Sequence, residues 1–239
     1  MKATNTSYNF ENSLSRIDDI LNAGDCNYQD ADKMPTRDKL TYTNGYYVDC
    51  TAIFVDICGS SDMTDVHKRP VLAKIYRAFI SEMVAMFNGY SQCREISING
   101  DCVWAVFDTP LKTDVDSAFD AAAQAHSMID VLNYKLLKKK YSNIEANIGL
   151  DYGRALMVQA GYKGSAINDV IWMGDVVNSA CHLCNEERGL FGKITYLGVD
   201  VYNNLCEKYK NLCSKLANRD VYQSGAINVP MNNWLNKQK

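Results

Sequence analysis

The 239-residue chain has no excess of positive charge: 25 Lys and Arg stand against 28 Asp and Glu, a formal net charge of −3. That balance argues against nucleic acid as the main ligand. No apolar run approaches membrane-spanning length, and the opening MKATNTSYNF lacks the pattern of a signal peptide. A cytoplasmic protein with no membrane partner is the expectation. The nine cysteines are odd in number and scattered through expected strands and helices, which suits reduced core packing better than a disulfide framework. Cys181 and Cys184 have C-x-x-C spacing, but no second pair follows, so packing is preferred to zinc. The histidines, His67, His126 and His182, show no spacing that suggests a nucleophilic triad. A Rossmann fingerprint is absent, and so is a P-loop with its Gly-Lys-Ser/Thr ending.

What is present is an ordinary globular composition, 47% hydrophobic and 22% charged, in a chain long enough for a full core. Residues 10 to 21 put Phe10, Leu14, Ile17, Ile20 and Leu21 on one helical face, with Gly24 just beyond. After a polar connection, Tyr46 to Ile57 reads as a buried strand. Pro70 opens a long helix that runs to about Phe87 and stops before Gly89. EISINGDCVWAVF predicts a hairpin around Asn99-Gly100. Asp114 and Asp116 begin a further helix that Lys138, Lys139 and Lys140 close, matching the helix dipole at both ends. IEANIGLDYGRALMVQA predicts two strands with a turn near Gly153. DVVNSACHLCNEE reads as helix, ITYLG as strand and VDVYNNLCEKYKNLC as helix; the polar tail reads as a strand pair or an ordered end. Hairpins alternating with helices favour an α+β sandwich over a doubly wound parallel sheet.

The chemistry gathers at TAIFVDICGSSDMTD. An apolar strand that ends on Asp56 needs a cation, a donor or water for that carboxylate. Gly59, Ser60 and Ser61 behind it allow a tight turn whose N–H groups face an anion. Asp101, at the tip of the NGDC hairpin, supplies a second carboxylate if its strand neighbours the first. Two carboxylates on one sheet edge suit divalent cations bridged by substrate phosphates.

FVDICGSSD, INGDCVWAVF, IGLDYGRALMVQAGY and WMGDVVNSACHLC resemble, in order and spacing, the successive motifs of the class III nucleotidyl cyclases, over roughly residues 48 to 205. RDKLTYTNGYYV, HKRPVLAKIYRAFISE and AGYKGSAINDVIWMGDVVN are similar in detail to the pyrimidine cyclases of the bacterial Pycsar antiphage systems. The resemblance implies a ferredoxin-like cyclase sandwich at residues 46–215, with a helical extension and linker at 1–45 and a strand or tail at 216–239. It implies a homodimer with shared active sites, and two Mn²⁺ or Mg²⁺ ions held by Asp56, Asp101 and the Ile57 carbonyl. The turn Cys58-Gly59-Ser60-Ser61 corresponds to the triphosphate-binding loop, with Phe54 beside it at the nucleotide. Asn178, reaching in from the partner chain, corresponds to the ribose-orienting asparagine.

Purine cyclases of the family read the base with a lysine where this chain has Ser97 and a polar residue where it has Ile171. Losing both readers favours a pyrimidine triphosphate. UTP is preferred to CTP on closeness to the uridylate members, with an adenylate or guanylate cyclase as the remaining alternative within the class. A silent cyclase-fold binding module and an unrelated interaction protein are the readings outside it. Where many members carry a transition-state arginine, this chain has His182. The readings are a protonated imidazole, Arg154 or Lys163 in that role, a slow enzyme, or a merely solvated His182. The implied product is a second messenger of antiviral defence, read by a separate cyclic-nucleotide effector.

Overall fold

The computed structural model describes residues 2–165, 167–185 and 195–238, with only the backbone of Thr64. In chain order these contain α1 (Phe10–Leu21), β1 (Tyr28–Asp30), β2 (Gly45–Ile57), α2 (Met63–Val66), α3 (Arg69–Asn88), β3 (Cys93–Asn99), β4 (Cys102–Asp108) and α4 (Lys112–Lys138). There follow β5 (Ala146–Gly161), β6 (Asn168–Met173), α5 (Asp175–Cys184), β7 (Thr195–Gly198), α6 (Val199–Asn204), α7 (Glu207–Lys210), β8 (Cys213–Lys215), β9 (Val221–Ser224) and α8 (Val229–Asn236). The sheet is antiparallel-rich and flanked by helices, as the expected α+β sandwich requires.

Two compact units share the chain. The larger holds residues 50–153 and 176–239. Its strands lie in the order β3-β4-β2-β5-β7-β9-β8, with β4 antiparallel to both β2 and β3 and β5 parallel to β7. Alternate residues of the neighbouring strands, Ile53, Val55 and Ile57 with Val103, Ala105 and Phe107, point into one core. Phe79, Met83 and Phe87 of α3 and Phe119 and Ile129 of α4 complete that core, and the first three recur at helical spacing. The opposite face of the same strands is thereby left for function.

The smaller unit holds residues 1–49 and 154–175. Here β1 pairs parallel with the start of β2, and the end of β5 pairs antiparallel with β6. Gly45 packs closely in this unit: a Cβ there would lie 2.8 Å from Val158 Cγ1. α1 begins at the expected residue, capped by Asn9, whose side chain accepts from the Asn12 amide. Its apolar face remains exposed at Phe10, Leu14, Ile17 and Leu21.

Three expectations about elements are corrected. No turn forms at Gly153; β5 runs unbroken for 16 residues, and the reversal falls at Gly161–Ile167, where Tyr162 N–H donates to Ile167 O at 2.8 Å. Gly161 and Gly164 take the positive φ values (138° and 84°) that this reversal needs, so the paired glycines outweigh the single one. The stretch after Gly198 is not one helix. It breaks between α6 and α7, where Asp116 accepts from the Cys206 amide at 2.9 Å, and it ends in β8. The tail adds α8 to its strand pair. Asn228 caps α8, Pro230 opens it, and Trp234 lies edge-on to Tyr134 of α4. Glu186, Glu187 and Ile194, expected in helix or strand, lie outside the described residues.

Candidate active site

β2 and β4 are registered so that Phe54 faces Trp104 and Asp56 faces Cys102; β3 continues the rows with Ser97 and Asn99. Side chains alternate along a strand, so these six residues share the sheet face opposite the core. Phe54 stacks on Trp104 with ring centroids 5.1 Å apart and planes 2° apart. The Trp104 indole N–H is buried without a hydrogen-bond partner among the described residues.

The β3–β4 hairpin turns through Gly100 and Asp101 alone, with Gly100 at φ +65°. Positive φ at the first central residue only is the signature of a II′ turn, and it seats Asp101 next to the Asp56–Cys102 pair. Asp56 is half-buried. Desolvation first, and the Asp101 charge second, push its carboxyl from 3.8 up to about 6. A half-buried carboxylate with a second carboxylate beside it is an oxygen donor set of the kind that holds a divalent cation, so Asp56 and Asp101 fit a metal ion. The only side chains this requires are these two. Among the described residues, no group of three or more His, Cys, Asp or Glu side chains is placed to hold an ion.

The turn after β2 is tied down at both ends. Cys58 N–H donates to Glu145 O at 2.8 Å and Asp62 N–H to Gly59 O at 3.1 Å. These two amides are therefore spent inside the protein, which narrows the expected anion cradle. Gly59 takes φ +61°, and Tyr76 of α3 donates its hydroxyl to Ser60 O at 3.3 Å. Ile57 is buried in the core, and its backbone adjoins both Asp56 and this turn.

Asn178 and His182 stand one turn apart on the exposed face of α5, while Val176, Ala180, Leu183 and Cys184 form its buried face. α5 lies directly on β5: a Cβ on Gly149 would come within 2.3 Å of both Ala180 O and Cys184 N. Sequence reasoning missed the Asp151 carboxyl, which accepts from its neighbour's amide, Tyr152 N–H, at 2.9 Å and from the Ser179 hydroxyl, beside Asn178. Burial pushes Asp151 up, and the Ser179 bond partly offsets this. A charged residue inside an otherwise apolar strand was the available signal. Also unforeseen is the thiol group around Asp56. Burial, then the Asp56 charge, pushes Cys102 up to about 12 and raises Cys181. Cys184 belongs to the same group, raised by burial first and then by its neighbours Cys102 and Asp56, and its thiol donates to Asn147 O at 3.3 Å.

In the smaller unit, Ile171 is exposed on β6 opposite Val158. Arg154 is already engaged, ion-paired with Asp30 and lying 4.0 Å from the Tyr47 ring centroid. Lys163 lines a small cavity with Arg16, Asp19 and Tyr42.

Residues 43–219 match the adenylate and guanylate cyclase catalytic domain family. The chain belongs to this family, the class III nucleotidyl cyclases, and is an enzyme of that kind. Among particular relatives, it is 39% identical to a uridylate cyclase of Gulbenkiania mobilis over 100% of both chains. It is 32% identical to a uridylate cyclase of Treponema porcinum, covering 96% of this chain and 82% of that one. The adenylyl cyclase CyaB from P. aeruginosa shares the fold at TM-score 0.65 and 18% identity, over 78% of this chain and 98% of that one. No helix among the described residues is long and apolar enough to cross a membrane.

Proposed function

We propose that this chain is a uridylate cyclase that converts UTP to 3′,5′-cyclic UMP and pyrophosphate. The observation that carries the reading is the register that sets Asp101, on its tight hairpin, beside half-buried Asp56 at one end of the β2–β4 pair, with a glycine-containing turn directly behind. The uridylate cyclase relatives support the choice of base. Ser97 and Ile171, which replace the purine readers, agree with it.

In this reaction the ribose 3′-oxygen loses its proton and bonds to the α-phosphorus as the bond to the pyrophosphate oxygen breaks. Asp56, Asp101 and the Ile57 carbonyl would hold two Mn²⁺ or Mg²⁺ ions, which when bound lower the pKa of the 3′-hydroxyl and neutralise phosphate charge. The residues of the chain position the reactants. Gly59 and Ser60 lie along the triphosphate, Phe54 and Ser97 beside the nucleoside, and Asn178 on the ribose of a second copy's site. Exposure of Asn178 and His182 on one helix face leaves them available to that second copy. A homodimer with shared sites is thus part of the proposal. So are a cytoplasmic setting and a cyclic nucleotide signal in antiphage defence, passed to a separate effector.

The test is incubation with each of the four nucleoside triphosphates and Mn²⁺, with products identified by mass spectrometry. Cyclic UMP as the main product supports the proposal. A dominant cyclic CMP or purine product overturns the assignment of base, and no cyclic product from any triphosphate overturns the whole.

A further inference from the structure

The C-terminal end of α4 carries more positive charge than the helix needs. Lys135, Lys138, Lys139 and Lys140 fall within six residues. A helix C-terminus presents about half a negative charge, which one ammonium offsets. The end is also closed without them. Tyr141 N–H donates to Leu136 O at 3.0 Å and Lys140 N–H to Leu137 O at 2.9 Å, with Lys140 at φ +58°. That pair of bonds is a Schellman motif and satisfies the carbonyls that lysine side chains otherwise serve.

Three of these lysines, Lys135, Lys138 and Lys139, line a cavity of about 620 Å³ together with Lys74 of α3. That is the size of a small-molecule site. No carboxylate pairs with any of the four among the described residues; Lys135 and Lys138 instead lie 5.1 Å from the ring centroids of Trp234 and Tyr134. Leu132 and Leu136 add apolar wall, and Tyr134 and Tyr141 add aromatic surface. Concentrated cations without anions, beside aromatic walls, in a chain of net charge −3, match a compact phosphorylated aromatic ligand. A nucleic acid or a membrane surface would call for a broad basic field instead.

We propose that this cavity is a second nucleotide site, separate from Asp56 and Asp101, with phosphates on the lysines and the base against the tyrosines. It stands independently of the choice of UTP as cyclase substrate. Calorimetric titration of the full chain with UTP and with inorganic tripolyphosphate, in chelator, isolates it, because the carboxylate pair depends on divalent ions to hold phosphate. Wild type is expected to bind UTP more tightly than tripolyphosphate. The Lys135→Gln/Lys138→Gln double variant should bind UTP at least tenfold more weakly, and Lys74→Gln, on a different helix, should weaken it in the same direction. Both variants should keep the wild-type melting temperature, and their product with Mn²⁺ should be unchanged. Equal UTP binding by wild type and double variant overturns the site, as does absence of binding by wild type. Tripolyphosphate binding as tightly as UTP overturns the placement of the base. Retention of wild type on anionic phospholipid vesicles without UTP binding in solution overturns it in favour of a membrane contact.

Discussion

At Asp56, stability and the proposed catalytic role pull in opposite directions. Its carboxyl is held near 6, above the ordinary 3.8, by burial and by Asp101. A carboxyl raised on folding favours the native state at low pH, and that contribution is lost as pH climbs through the folded value. Metal-free protein should therefore lose stability between 3.8 and about 6 on account of this group. Allowing for half exposure, the loss is about 1 kcal/mol. Thermal melts in chelator across that window check it, and Asp56→Asn should flatten the slope, leaving the part that Asp151 contributes. At neutral pH the same variant should be more stable by about 1 kcal/mol while losing cyclase activity by about a thousandfold, a trade common to strained sites. Thr195 is a simpler case. Its hydroxyl is buried in β7 with no hydrogen-bond partner among the described residues, so Thr195→Val should stabilise by about 1 kcal/mol in denaturant titration.

The two helices beside the functional surfaces depend on local backbone fit. Because α5 lies against the bare backbone of Gly149, Gly149→Ala should push the helix and Asn178 outward and cost about 3 kcal/mol, measurable by circular dichroism melts. Lys140, by contrast, occupies a left-handed position that glycine fills more easily. Lys140→Gly should stabilise by about 0.5 kcal/mol in the same measurement. Elements were legible where their signals are local. The Asn9 cap and apolar spacing mark α1, Pro70 opens α3, and the Asn-Gly-Asp sequence turns the hairpin that carries Asp101. The turn is not at Gly153 because one glycine in an extended run says little, and the deciding pair, Gly161 and Gly164, lies eight and eleven residues further on. α8 was missed although Asn228 and Pro230 announce it, since its stability comes from docking Trp234 on α4 and not from a strong periodic face of its own.

For the molecule as a whole, the shared-site proposal makes a quantitative demand. Asp101→Ala and Asn178→Ala damage different halves of a site that two copies would build together. Each variant should be inactive alone. Mixed and reassociated at equal amounts, they should recover about a quarter of wild-type activity, because random pairing makes half the dimers mixed and each mixed dimer has one intact site. A mixture as inactive as its components would place both residues in one chain's site. Sedimentation of the separate variants checks that each still dimerises.

By itself the sequence determined the class of enzyme, through the order and spacing of motifs that resemble the class III cyclases. Its local signals supplied the candidate groups. An aspartate ending an apolar strand, a small-residue turn behind it and a second aspartate on a tight hairpin are all written within short stretches of chain, where propensity and periodicity operate. Only the tertiary structure decided which groups share an environment: the register that sets Asp56 against Cys102, the Asp151–Ser179 bond that holds α5, the engagement of Arg154 by Asp30, and the gathering of Lys74 with the α4 lysines. Strand pairing and helix docking join residues far apart in sequence, and the burial and charge that shift a carboxyl appear only once those partners have met.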